Sequence, residues 1–211
     1  MAVATAFDQR ITSVEELREL LGEPSETVKK KQLDHIDEHC RAFIAHVPFL
    51  LLGTSNRAGE CDVSPKGDAP GFVRVLDDRT LVIPDRPGNR RIDTLSNILE
   101  NPRAGLLFLI PNVQETLRVN GQASIIRDEA LLEEMTARGK RPLLAIAVDV
   151  EEAFIHCPKA FIRSSLWDAA RIDRPRPIAT LARIIVDHTR IDGLTEADQQ
   201  RRIDASLTTQ L

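Results

Sequence analysis

Between Leu50 and Ala123 the chain alternates short apolar runs with clusters of turn-forming residues, and no other feature limits its fold so tightly. The runs are Phe49–Leu52, Phe72–Leu76, Leu81–Ile83, Leu106–Ile110 and Leu117–Val119, and a further β-type run at Leu143–Val150 can extend to Ile155. Runs of this length are too short for helices and too regularly spaced for a bundle, so they predict strands. Asn56–Gly59 and Asp77–Arg79 have the composition of hairpin connections. Short antiparallel strands escape exposed edges most completely by closing on themselves, so the expected fold is mostly β with α (α+β), a small antiparallel barrel flanked by helices.

The flanks read as helices. Ser13 and Glu16 form a capping box ahead of Val14, Leu17, Leu20 and Leu21, with Gly22 and Pro24 as the stop. Ser25 is positioned to cap a longer helix through Val28, Leu33, Ile36, Cys40, Phe43, Ile44 and Val47. A short helix over Ile92–Leu99 ends at Asn101-Pro102, and Asp128 caps another through Met135 that Gly139 closes. Pro158 opens a helix leading to Trp167. After the stiff polar connector Arg171–Pro177, Ile178–His188 is amphipathic, and Asp192–Leu211 is polar and weakly helical with Thr195 as its cap. The organisation expected is a helical extension over 1–34, a barrel domain over 35–168 and a helical arm over 169–211.

A formal charge of −4 argues against non-specific nucleic-acid binding, so clustered arginines need a local explanation. No apolar run approaches the roughly 20 residues of a membrane span. The N-terminus has no apolar leader core, and three cysteines without paired spacing fit free thiols, so a cytoplasmic protein is expected. The basic interruptions Ser64-Pro65-Lys66-Gly67 and Arg86–Arg91 are the candidate chemistry. Gly88-Asn89-Arg90-Arg91 at a helix start offers guanidinium forks and free N–H groups to one anion; singly, each cation is also an ordinary solvated loop charge. His35 and His39, four apart with Cys40 adjacent, and His156-Cys157 lack the partners of a metal site, and none is expected. No Walker loop, nucleophile elbow or GxGxxG fingerprint occurs.

At Asp62–Gly67, Leu81–Asp85, Gly88–Arg91, Glu100–Arg103 and Leu117–Gly121 the chain resembles the pyridoxamine 5′-phosphate oxidase-like family, over about residues 35–168. The resemblance implies a split β-barrel that binds FMN at a homodimer interface. It implies that the Asp62–Lys66 strand, with Ser64, runs beside the flavin and that Lys66 reaches the phosphate. Backbone groups of Ile83 and Pro84 would meet the ring edge, and Asn89, Arg90 and Arg91 would hold the phosphate. Thr116 and Arg118 fall on the strand opposite, and Lys159, Arg163, Ser164 and Trp167 are candidates from the second subunit. The chain departs from the oxidase proper near Cys61, where that enzyme has Arg, and at Thr116, where it has Gln. Trp167 is followed by Asp168-Ala169-Ala170-Arg171 instead of the block that binds pyridoxal phosphate, so cofactor binding carries over better than the vitamin B6 reaction. The expected activity is FMN-dependent oxidoreduction of an unidentified small molecule or electron donor. The alternative is a non-catalytic FMN- or haem-binding store or sensor on the same barrel.

Overall fold

The computed structural model describes residues 8–172 and 175–210; the extreme N-terminus and the middle of the connector Arg171–Pro177 lie outside it. Contacts divide the chain into Met1–Gln32 and Leu33–Leu211. The first unit holds α1 (Val14–Leu21) and α2 (Glu26–Lys30). Ser13 caps α1 by accepting from the Glu16 N–H at 3.1 Å, and Gly22, at φ +74°, ends it in the left-handed region that glycine tolerates. Neither helix has a buried residue.

The single helix expected from Ser25 to Val47 does not form. Leu33 instead exchanges backbone hydrogen bonds with Ala153, at 2.9 and 2.8 Å, and the Ile36 N–H donates to the Asp78 carbonyl at 2.7 Å. Backbone groups used in a β-bridge are withdrawn from a helix, so α3 (Glu38–Ala45) starts afresh with Asp37 as its cap. Consequently His35 and His39 do not share one helix face. Beside this bridge, hydrogen bonds from the His35 ring and Arg79 hold the Asp34 carboxyl at about 2, below the usual carboxylate range.

Seven antiparallel strands make one sheet: β1 (Phe49–Ser55), β2 (Cys61–Gly67), β3 (Arg74–Val75), β4 (Thr80–Pro84), β5 (Arg103–Leu109), β6 (Thr116–Ile126) and β7 (Ala145–His156). Their order is β2-β1-β5-β6-β7-β4-β3. The fold is α+β, a split barrel, and both expected hairpin connections are present. Only Arg74 and Val75 of the Phe72–Leu76 run pair, whereas the run at Leu117–Val119 extends to Ile126.

Alternation explains the core. Leu50 and Leu52 of β1, Leu106 and Phe108 of β5, and Leu117 and Val119 of β6 point to one side and are almost wholly buried, with Ile146, Val148 and Val150 of β7. β4 is buried on both faces: Leu81 and Ile83 enter this core, while Val82 packs with Leu132 and Met135 around α5 (Glu129–Glu134). That two-sided burial is why Leu81–Ile83 is a continuous apolar run.

α4 (Asp93–Glu100) crosses between β4 and β5 in sequence, and α6 (Lys159–Ser164) and α7 (Ala169–Ile172) follow β7. Trp167 lies beyond α6, which ends at Ser165 in a left-handed conformation. α8 (Leu181–Thr189) is capped by Thr180. The weakly helical tail is in fact a full helix, α9 (Glu196–Gln210), packed against α8. Its start is secured by Thr195, which accepts from the Asp198 N–H at 3.1 Å, and its far end by Lys140, which donates to the Thr209 carbonyl at 2.6 Å. Among the described residues no helix is long and apolar enough to cross a membrane.

The longest ladder, β6 with β7, contains a register shift at Asn120/Gly121. A Cβ at Gly121 would lie 2.0 Å from the Asp149 carbonyl oxygen, so the bulge closes only around glycine. Gly121→Ala is therefore expected to destabilise the protein by about 3 kcal/mol or more, read from urea unfolding; a midpoint unchanged from the wild type would refute this packing.

Candidate functional site

The site is built where the edge strand β2 meets the segment that leaves β4. Asp62, Ser64 and Lys66 stand opposite the inward residues Thr54, Leu52 and Leu50, so this polar row faces the barrel side. Cys61, Val63 and Pro65 alternate with it and are exposed. No ladder joins β2 to β4. Side chains span the seam instead: the Lys66 ammonium donates to Asp85 at 3.1 Å, and Arg86 Nε donates to Asp68 at 2.7 Å. These pairs are shielded, with Lys66 15% and Asp68 only 11% exposed.

α4 is fastened across the same region by neutral and charge-assisted hydrogen bonds. Thr94 Oγ1 donates to Asp62 at 2.7 Å, Asn97 Nδ2 to Thr54 Oγ1 at 3.2 Å and Asn101 Nδ2 to Ser55 Oγ at 2.9 Å. The loop before α4 is folded by two residues in the left-handed region, Arg90 (φ +61°) and Ile92 (φ +58°). Asn89 Oδ1 accepts from the Arg91 N–H at 3.0 Å. α1, α2, α3, α5 and α8 each begin with a side-chain cap, but α4 begins with Ile92, which supplies none, as does α6 with Pro158. The first-turn N–H groups of α4, with their partial positive charge, thus lack the usual side-chain acceptor.

The structure brings Ser64, Lys66 and the end of β4 to one seam. Ile83 and Pro84 are buried there, and Pro84 pairs with Ala145, so backbone rather than side chain is what β4 presents along the sheet. Asn89, Arg90 and Arg91 lie in the loop before α4. Arg91 is held by Asp93, 2.7 Å from its Nε, which raises the guanidinium pKa further above its ordinary value. Arg90 has no ion pair among the described residues.

A second group gathers around the start of β6. Thr116 is buried opposite His156, and the Arg118 guanidinium lies 5.1 Å from the centre of the Phe154 ring. Trp167 stacks on Phe161 and donates from Nε1 to the Val113 carbonyl at 2.9 Å. Lys159, Arg163 and Ser164 are exposed on α6.

Reading the sequence for cations overlooked the acids that pair with them, Asp68, Asp85 and Asp93, and Asp62, which accepts from Thr94. Strand alternation could have placed Asp62 on the face of Ser64 and Lys66. Nothing local points to Asp68 as the partner of Arg86. Cys40 is buried, and desolvation raises its thiol to about 12, which makes it an inert packing residue; Cys61 and Cys157 are exposed.

Solved structures similar to this chain include HupZ from Group A Streptococcus, at 21% identity over 57% of this chain and 93% of that one, with a TM-score of 0.48. General Stress Protein 26 from Bacillus anthracis str. Sterne is 16% identical over 55% and 88%, with a TM-score of 0.44. HutZ, the heme storage protein from Vibrio cholerae, is 13% identical over 57% and 94%, with a TM-score of 0.42. No curated protein matches. The family model described as pyridoxamine 5′-phosphate oxidase matches residues 36–157, more than half of the chain and all seven strands, and this protein belongs to that family.

Proposed function

We propose that the protein is an FMN-dependent oxidoreductase whose seam holds the flavin phosphate. One observation carries the reading: α4 begins without a side-chain cap directly after Arg90 and Arg91. A terminal phosphate suits that start, because oriented N–H groups and a guanidinium without a carboxylate partner both favour a dianion. Asn89, Arg90 and Arg91 would hold the phosphate together with Lys66. The row containing Ser64 on β2 and the backbone at Ile83 and Pro84 would border the ring. Bound FMN would supply the electron transfer, and the chain would bind it, orient it and shield one face.

The outward face of the sheet supports a two-fold homodimer. Phe49, Leu51, Leu107, Leu109 and Phe154 alternate outward from β1, β5 and β7 and retain solvent exposure. Apolar sheet surface of this kind favours cover, and a second copy can offer the same patch in return. In such a dimer Lys159, Arg163, Ser164 and Trp167 would complete the site of the partner.

Mass spectrometry of cofactor released from the purified protein should give FMN; FAD, haem or no flavin would refute the assignment, and steady oxidation of reduced nicotinamide separates an enzyme from a flavin store. Arg90→Ala should weaken FMN roughly 10- to 100-fold in a fluorescence titration while leaving riboflavin unaffected, the loss of a charge-assisted contact. Light scattering should report a dimer, and a 23.5 kDa species retaining stoichiometric FMN would overturn the shared-site arrangement.

A further inference from the structure

Three ion pairs lie along the seam and the loop before α4, and they differ in how easily each could open. Arg86–Asp68 is the most enclosed, and parting it would strand a carboxylate that is 11% exposed. Arg91–Asp93 is largely exposed, spans only two residues and is weakened by solvent. Lys66–Asp85 lies between these extremes at 15% and 26% exposure. It is a single contact to a point charge on a flexible stem, not a guanidinium fork. The Asp85 backbone is fixed by its N–H bond to the Leu144 carbonyl at 3.1 Å, so only the carboxylate has to turn for Lys66 to be released.

From this geometry we propose that Asp85 is a built-in competitor for anions: its carboxylate occupies Lys66, and a phosphate monoester gains that lysine only by displacing it. The inference rests on the phosphate site described above and adds a selectivity to it. Lys66, Arg86, Arg90 and Arg91 are balanced by Asp62, Asp68, Asp85 and Asp93, so the seam has no net attraction for anions at large. A monoanionic carboxylate merely exchanges one like group for another at Lys66. A phosphate dianion brings more charge and more acceptor oxygens, and it engages the start of α4 at the same time. Asp85 is thus a specificity-determining residue that screens out weak anions.

The test uses the full-length chain, with inorganic phosphate followed by calorimetry and FMN and riboflavin followed by flavin fluorescence. Asp85→Asn should tighten phosphate and FMN by about tenfold, the value of one recovered charge-assisted bond, and leave riboflavin unchanged. Asp85→Ser provides the same comparison if the amide perturbs the loop. In a Lys66→Met background the gain should vanish. Phosphate and FMN affinities that stay at wild-type values or fall would overturn the proposal, as would a gain that persists without Lys66. Tighter phosphate with no FMN binding by either protein would support the competitor and refute the flavin assignment. Unchanged FMN binding by both proteins, together with unchanged phosphate affinity, would refute the competitor alone. Binding of neither ligand by any variant would refute both.

Discussion

An antiparallel sheet that does not close through hydrogen bonds leaves two edges whose backbone groups must be satisfied or shielded, and in this protein they are β2 and the two-residue β3. The order β2-β1-β5-β6-β7-β4-β3 leaves no ladder between β2 and β4. Lys66–Asp85, Arg86–Asp68 and the Thr94–Asp62 hydrogen bond span this gap with side chains. A gap closed by side chains can admit a ligand between its walls, whereas a closed ladder cannot. The polar seam is therefore the stretch of barrel wall held by side chains instead of a ladder.

The geometry of the seam depends on packing elsewhere. The Asn120/Gly121 bulge lets β6 and β7 remain paired along their length while their register changes. Two-sided burial of β4, against the main core and against α5, fixes the strand from which Asp85 and Arg86 emerge. α4 then rests on β1 and β2 through Asn97, Asn101 and Thr94, so its uncapped start is held in place from below. Partly buried ion pairs add little net stability when both partners are counted, because desolvation offsets attraction. Their contribution here is positional.

The strands and most caps were legible because each reflects local chemistry. Hairpin residues at Asn56–Gly59, the caps Ser13, Ser25 and Asp128, and the alternating burial of β1 and β5 depend on neighbours close in sequence. The reading failed where a distant partner overrode local preference. The helical period from Ser25 to Val47 is real, but Leu33 finds Ala153, and a β-bridge breaks the helix. The tail read as weakly helical because its apolar stripe is poor; Thr195 caps it as expected, and it is contact with α8 that supports it as a full helix.

The seam shows the same division within one site. Sequence alone determined that Ser64, Lys66 and Asn89–Arg91 stand at strand ends and before a helix, since alternation and turn chemistry are local rules. It also carried the family motifs, which reside in short contiguous runs. Which acid meets which base was decided by tertiary structure: Lys66 reaches Asp85 across 19 residues and Arg86 reaches Asp68 across 18, while the Thr94 hydroxyl reaches Asp62 across 32. Those pairings follow from the roll of the sheet, which brings an edge strand to a strand it does not hydrogen-bond. No periodicity in the chain encodes a contact of that kind, so a region that reads as basic becomes charge-balanced only once it is folded.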